Sequence, residues 1–161
     1  MKTTERYSRP SDLPARVPVF PLRGAILLPR TVLPLNIFEP RYLQMFDEVM
    51  SGTRVVGIVQ PDQSSAGESP DGKATPLRRV ASVGRLTAFQ ELDDGRLIVS
   101  LTGICRCEII EEIAAPTPYR VCAVSYDRFR PDFVEDETDD TVDRDGLLET
   151  LKAYLAACNL K

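Results

Sequence analysis

The feature that most constrains the fold is a pair of long apolar runs joined by an Asp-Gly dipeptide in the second half of the chain. The stretch reads VGRLTAFQELDDGRLIVSLTGICRCEII, residues 83–110. Asp94 and Gly95 supply the positive φ angles that a tight hairpin turn requires. A third strand is predicted after Gly103, and residues 119–129 supply one more. The pattern predicts a mainly antiparallel, curled β-domain.

Prolines shape the first quarter of the chain, where seven of the thirteen prolines fall within the first forty residues. This distribution favours extended segments and turns over helices. Residues 17–22 and 25–38 are predicted to be short strands with bends at the prolines. Such strands are poor central strands, so we expect them at sheet edges. Residues 54–60 have the continuous apolar, β-branched composition of a buried strand.

A change of period within PLNIFEPRYLQMF, residues 34–46, predicts a corner where a strand becomes a helix. The helix is expected over residues 40–51, with Gly52 as its C-cap. Proline suits the first helical turn, and the glutamate before it must be extended, with its carboxylate near the positive helix end. We therefore expect structural rather than catalytic roles for the proline and charged residues of this corner: Pro34, Glu39, Pro40 and Arg41.

The absence of histidine from the whole sequence removes Ser-His-Asp and Cys-His catalysis and the commonest metal ligand. The cysteines lack the Cys-x-x-Cys spacing of zinc or redox sites and are predicted to be buried, reduced thiols. They are Cys105, Cys107, Cys122 and Cys158. Residues 67–73 match G-x-x-x-x-G-K, but no hydroxyl residue follows the lysine and prolines interrupt the segment. No cofactor or metal is expected.

Charge and composition divide the chain into four segments. A polar arm over 1–12 precedes the β-domain, 13–130; an acidic linker over 131–145 precedes a C-terminal helix, 146–161. Residues 132–161 hold nine acidic and three basic residues, whereas the rest of the chain is nearly neutral. Without an apolar leader or a membrane-length segment, the sequence predicts a soluble cytoplasmic protein with no membrane partner.

Four segments carry a resemblance to a known family. VPVFPLRGAILLPRTVLPLNIFEPRYLQMF, VGRLTAF, LDDGRLIVSLTGICRCEII and PYRVCAV resemble the N-terminal substrate-binding domain of Lon proteases over about residues 17–126. That domain also occurs as a stand-alone bacterial protein and, in variant form, in cereblon. The resemblance implies a PUA-like β-barrel with one embedded helix, followed by a helical subdomain of which this chain has room for one helix.

The resemblance also implies a non-catalytic module for protein quality control that binds unfolded or exposed apolar polypeptide segments. Nothing in the chain is similar to the ATPase or the Ser-Lys peptidase of Lon. Strand addition at an edge, or an apolar groove, could receive a peptide. The candidate anchors, each of which could instead fill the core, are Phe20, Leu22, Phe38 and Tyr42.

Three further hypotheses accompany this interpretation. RNA binding, known for PUA-like folds, would require clustering of Arg78, Arg79, Arg85 and Arg96, and the near-neutral charge does not favour it. A small hydrolase would need paired carboxylates in a pocket, and Asp93-Asp94 is poorly placed in a hairpin turn. Finally, an apolar stripe on the C-terminal helix predicts packing onto the barrel or onto a second copy in a homodimer: Leu147, Leu148, Leu151, Leu155 and Cys158.

Overall fold

The computed structural model describes residues 6–62, 75–134 and 143–158. In these ranges there are six strands: β1 (Arg16–Pro21), β2 (Val32–Ile37), β3 (Val55–Pro61), β4 (Leu77–Glu91), β5 (Leu97–Ile113) and β6 (Arg120–Ser125). The α-helices are α1 (Pro40–Ser51) and α2 (Arg144–Ala157). Short 3-10 helices cover Pro10–Asp12 and Asp127–Phe133.

Five of the strands form a closed ring. The sheet order is β2-β5-β4-β3-β1-β6, and β5 also pairs with β6, which closes the sheet. The 17 residues of β5 make this possible, since its first half pairs with β2 and its second half with β6. Every pairing is antiparallel except β1 with β3, which is parallel. The predicted fold class, mainly β with an embedded helix, is confirmed.

Two apolar cores lie on the two sides of the curled sheet. One contains inward residues of β1, β3, β4, β5 and β6, including Val19 and Val83. The other forms where α1 packs against the sheet and includes Phe46 and Leu101. Helix α1 has the predicted bounds because Pro40 stands at its first position and its apolar residues recur at helical spacing. Its buried side chains are Tyr42, Met45, Phe46 and Val49.

The hairpin turn between β4 and β5 is confirmed, but its type differs from the predicted one. Gly95 alone has a positive φ, of 82°, and Asp94 does not. The Gly95 N–H donates to Leu92 O at 2.9 Å, and the Leu92 N–H donates to Arg96 O at 2.9 Å. This is a three-residue turn with a glycine bulge, because Asp93 also belongs to the loop.

Two predicted strand boundaries are wrong near Gly103. The strand expected to begin there is the second half of β5, which runs through Gly103 without a break. Residues 25–31, predicted as part of a strand, form a loop that crosses β5 at this point. The Gly103 N–H donates to Thr31 O and the Arg30 N–H to Gly103 O, both at 2.9 Å. The loop over residues 25–31 therefore lies directly against β5 at Gly103, where β5 also pairs with β4.

The expectation that both proline-rich strands are edges is correct for β2 and wrong for β1. Strand β1 lies between β3 and β6. It pairs with β6 over residues 16–19 and with β3 over residues 19–21, so only Val19 is paired on both sides. Pro18 and Pro21 each have one strand neighbour, which explains how an inner strand accommodates residues lacking an N–H.

Three of the four cysteines are buried, as predicted; the prediction is wrong for Cys158, which is exposed directly after α2 because no side chain of that helix is buried. Burial raises the pKa of the Cys107 thiol to about 12 and that of Cys122 to about 11. The pKa of Cys105 is also raised by burial. These thiols therefore stay protonated at neutral pH and act as small core side chains.

The β-domain includes contacts from residues on both sides of its predicted boundaries, 13–130. Tyr7, within the expected polar arm, is buried in the core, and its hydroxyl accepts from Arg85 at 3.0 Å. Asp132, at the start of the expected linker, is bound by Arg106 through two nitrogen atoms at 2.6 and 2.9 Å. Residues 135–142 of that linker lie outside the described residues.

Helix α2 begins with Asp143 as its N-cap, whose carboxylate accepts from the Gly146 N–H at 2.9 Å. No side chain of this helix is buried. Its apolar residues, including Leu147 at 62% and Leu151 at 48% exposure, remain open to solvent. The predicted packing of this stripe onto the chain's own barrel is therefore absent in the described residues.

Candidate functional site

The four predicted peptide anchors do not form one exposed patch. Phe20 and Tyr42 are buried, with ring centroids 4.2 Å apart, and Leu22 is half-buried against the same core. Only Phe38 is open, with 64% of its surface exposed. Of the four, Phe38 alone is exposed enough to offer its apolar side chain to a bound polypeptide without rearrangement of the core.

The charged residues of the strand-to-helix corner form a local ion pair. Glu39 occupies the N-cap position in an extended conformation, but its side chain makes no cap hydrogen bond. Instead its Oε2 accepts from Arg41 Nη2 at 2.6 Å and Nε at 2.9 Å. The Arg41 guanidinium lies 4.9 Å from the centre of the Tyr42 ring. The carboxylate of Glu39 holds the pKa of Arg41 above its ordinary value.

An exposed apolar surface follows β2 on the outer face of the sheet. Val32 and Ile98 are exposed on this face, and the register places Asn36 opposite Ile98 and Pro34 opposite Ser100. Phe38 follows directly after the strand. We call this the β2 surface, and its apolar members are Val32, Pro34, Phe38 and Ile98. Sequence reasoning missed Val32 and Ile98 as surface residues, because alternation alone does not reveal which face of a strand is outside.

The β2 surface ends at the free edge of the sheet, since β2 pairs only with β5 among the described strands. The Gly103 N–H donates to Thr31 O, so Thr31 occupies a position whose backbone points toward β5. Alternation along an antiparallel ladder then turns the backbone groups of Val32 and Asn36 toward the open edge. Pro34 lies between them with its nitrogen also turned outward, so it removes one donor from the edge rather than one bond from the sheet.

A cleft of about 350 Å³ lies elsewhere, at the end of the ring where β1 and β3 terminate. Its lining includes Arg23, Arg41 and Arg120 together with Tyr42. These residues come from three separate segments of the chain, and no local sequence signal connects them. Tyr42, one of the predicted anchors, thus contributes to a concave site although its ring is in the core.

The arginines considered for RNA binding do not form a cluster. Arg79 pairs with Glu108 at 2.8 Å, near the start of β4. Arg85 donates to Tyr7, and Arg96 pairs with Asp94 at 2.7 Å beyond the far end of the strand. Their positions span β4 from one end to the other.

Other chemistry finds little support in the described ranges. Within them, no group of three or more Cys, Asp or Glu side chains could hold a metal ion. Asp93 and Asp94 are exposed in the hairpin turn, not in a pocket. The G-x-x-x-x-G-K segment, residues 67–73, falls outside the described residues. No helix in the described part of the chain is long and apolar enough to span a membrane.

Comparison with known proteins relates this fold to the Lon proteases. The chain is 25% identical over 139 residues to the Lon protease of Flavobacterium johnsoniae, covering 86% of this chain and 16% of that protein. It is 31% identical over 94 residues to the Lon protease of Desulfosudis oleivorans, covering 58% of this chain and 11% of that protein. The chain thus spans about a sixth or less of these relatives, and the match is to the substrate-binding part alone.

Solved structures agree on the fold. A Lon N-terminal domain protein from Xanthomonas campestris superposes with a TM-score of 0.57 at 22% identity, covering 88% of this chain and 73% of that one. The N-terminal domain of a Mycobacterium avium complex Lon protease gives 0.55 at 14% identity, covering 89% and 69%. Residues 16–158 match the sequence family described as the ATP-dependent protease La (LON) substrate-binding domain. The chain therefore belongs to the LON substrate-binding domain family.

Proposed function

We propose that this protein is a non-catalytic recognition module that binds unfolded polypeptides through exposed apolar segments. The observation that carries the proposal is family membership over residues 16–158, which is the substrate-binding part of the Lon proteases. The matched region includes neither the ATPase nor the peptidase part of those proteins. Binding without chemistry is the function that such a region supports.

The β2 surface is the place we assign to the polypeptide. An exposed row of apolar side chains beside an open sheet edge can receive an extended segment, whose backbone pairs with the edge while its side chains contact the row. The backbone groups of Val32 and Asn36 are turned toward that edge, and Phe38 lies at its end. Pro34 limits continuous pairing, which disfavours uncontrolled edge-to-edge aggregation of the protein with itself.

We place this activity in the cytoplasm. Cys105, Cys107 and Cys122 are free, buried thiols, and none of the described cysteines forms a disulfide. Free thiols are usual in a reducing compartment.

The proposal is tested by measuring binding of fluorescein-labelled casein, an unfolded protein, by fluorescence anisotropy. We expect saturable binding that weakens at least fivefold in the Phe38→Ser and Ile98→Ser variants, because each loses apolar contact area. Ile110→Ser is the matched control, since Ile110 is also an exposed isoleucine on β5 but lies near the opposite end of the strand. The control should bind casein as the wild type does.

Two results would contradict the proposal. If the folded wild-type protein does not bind casein, the proposed binding of unfolded polypeptides is wrong. Equal loss of binding in the Ile98 and Ile110 variants would remove the β2 surface as its location.

A further inference from the structure

We propose that the cleft at the end of the ring, lined by Arg23, Arg41, Arg120 and Tyr42, binds a carboxylate group of the polypeptide client. This rests on the proposed function in one respect, that the carboxylate belongs to a polypeptide. The site itself is argued from charge, hydrogen-bonding capacity and shape. It is separate from the β2 surface.

The cleft is built by the ends of several elements. Strands β1 and β3 are parallel, so their last residues, Pro21 and Pro61, lie at the same end of the ring. Strand β4 begins there with Leu77, which is paired with Pro61. Strand β6 contributes its first residue, and α1 contributes its first turn. The walls are therefore partly apolar, from the two prolines and the leucine.

The residues that line the cleft include three arginines and no acidic side chain. Arg41 is paired with Glu39, and Arg120 is bound by Glu112 through two nitrogen atoms. Arg23 is exposed and makes no ion pair or side-chain hydrogen bond with a described residue. Among the residues that line the cleft, Arg23 is therefore the guanidinium without a carboxylate partner, and its positive charge is available to a ligand.

The guanidinium of Arg120 is fixed in position by its hydrogen bonds. Its Nη1 donates to Thr75 O at 2.8 Å, and only 20% of its side chain is exposed. A fixed guanidinium loses less side-chain entropy when it binds a ligand, so it is a better recognition group than a mobile surface arginine.

Tyr42 adds an uncharged donor. Its ring is fixed in the core against Phe20, and its hydroxyl makes no hydrogen bond to any described protein atom. Yet no buried side-chain oxygen or nitrogen in the described residues lacks a partner, so this hydroxyl must reach the surface that lines the cleft. Burial raises the pKa of Tyr42, which keeps the hydroxyl protonated and able to donate.

The balance of charge favours a carboxylate over a phosphate. A single negative charge matches the one unpaired guanidinium, and the planar guanidinium fork fits two carboxylate oxygens. A phosphate dianion would bring a second negative charge close to Glu39 and Glu112. The volume of about 350 Å³ lies at the small end of ligand pockets, and the apolar walls suit an aliphatic group beside the charge.

The first experiment tests the cleft with small probes. The side-chain Nε–H signals of the arginines are followed by nuclear magnetic resonance during titration with N-acetyl-leucine, N-acetyl-leucinamide and inorganic phosphate. We expect N-acetyl-leucine to shift the signals of Arg23 and Arg41 saturably and the amide to leave them unchanged. Arg23→Gln should weaken this binding about tenfold, as expected for loss of a charged hydrogen bond.

Two variants make the result specific. Tyr42→Phe removes the hydroxyl while keeping the ring in the core, and should weaken N-acetyl-leucine binding severalfold. Arg16→Gln is the matched control, because Arg16 is exposed at the opposite end of β1, and it should bind as the wild type does. Equal shifts with the amide, tighter binding of phosphate, or no effect of Arg23→Gln would each overturn the proposal.

The second experiment distinguishes the source of the carboxylate. Labelled apolar peptides of one sequence are compared with a free or an amidated C-terminus, and with an internal Glu or Gln. Preference for the free terminus assigns the cleft to chain ends, and preference for internal Glu assigns it to acidic side chains. If all four peptides bind equally, the cleft proposal fails while the proposed function stands. If N-acetyl-leucine binds but none of the four peptides does, the assignment of the carboxylate to a polypeptide is overturned, whereas the proposed function is decided by the casein measurement.

Discussion

At the scale of single residues, the backbone around Gly103 shows how one position lets three chain segments meet. The loop before β2 crosses β5 here, and Arg30 adopts a positive φ of 67° within it. The loop also carries Leu27, which is 1% exposed and belongs to the core shared with α1. Gly103 is required by close approach, since a Cβ built on it would overlap the carbonyl oxygen of Leu28.

We therefore expect Gly103→Ala to destabilise the protein by about 3 kcal/mol, the upper end of the range for overpacking. A backbone oxygen cannot rotate away, so the whole loop must move and Leu27 must lose contacts. Chemical denaturation followed by circular dichroism measures this free energy of unfolding.

Gly95→Ala is the control for this variant. Its φ of 82° disfavours alanine, but nothing lies within 4 Å of the added Cβ. We expect Gly95→Ala to lower the free energy of unfolding by about 1–2 kcal/mol, from the left-handed conformation alone. A smaller effect at Gly103 than at Gly95 would contradict the close-approach argument.

At the scale of elements, α2 is the part of the chain whose packing is incomplete. Its exposed apolar residues lie on one face at helical spacing: Leu147, Leu148, Leu151 and Tyr154. Burying a leucine side chain contributes about 1.5–3 kcal/mol, and a single short helix is marginal in water. A second copy of this chain could cover the face in a two-fold dimer, as the sequence pattern suggests.

We expect the wild-type protein to be a dimer and the double variant Leu151→Asp with Leu155→Asp to be a monomer, because the charges would oppose burial of this face. Light scattering measures the mass, and circular dichroism checks that the β-domain stays folded. Ala153→Asp, on the opposite side of α2, should leave the dimer intact. A wild-type monomer at high concentration would contradict the dimer.

At the scale of the whole molecule, the chain contains the substrate-binding part of a much larger kind of enzyme. It spans 16% of the Lon protease of Flavobacterium johnsoniae. The sequence has no histidine and four lysines, and the G-x-x-x-x-G-K segment lacks the hydroxyl residue that would bind magnesium. A lysine acting as a peptidase base would need burial to lower its pKa.

We therefore expect the purified protein to hydrolyse neither ATP nor casein, measured as released phosphate and as acid-soluble peptide over several hours. The Lys73→Ala variant provides the check. ATP hydrolysis that persists through stringent purification and disappears in this variant would show that residues 67–73 form a nucleotide site after all.

Local signals in the sequence were sufficient for several elements. Helix α1 could be predicted to the residue because Pro40 and the change of period mark its start. The hairpin between β4 and β5 followed from Asp94-Gly95, although the number of loop residues did not. Both signals act within a few residues, where steric preferences and side-chain spacing decide the conformation without help from distant segments.

The tertiary structure alone decided where the strands lie in the sheet and which side chains are accessible. Strand β1 is internal because it pairs with β3 and β6, which are far from it in sequence. Phe20, Tyr42 and Phe38 are all aromatic, yet Phe20 and Tyr42 are buried and Phe38 is exposed. The arginine cleft likewise forms only when the ends of β1 and β3 meet α1 and β6. Ring closure brings these segments together through long-range pairing, and no spacing within a single segment encodes it.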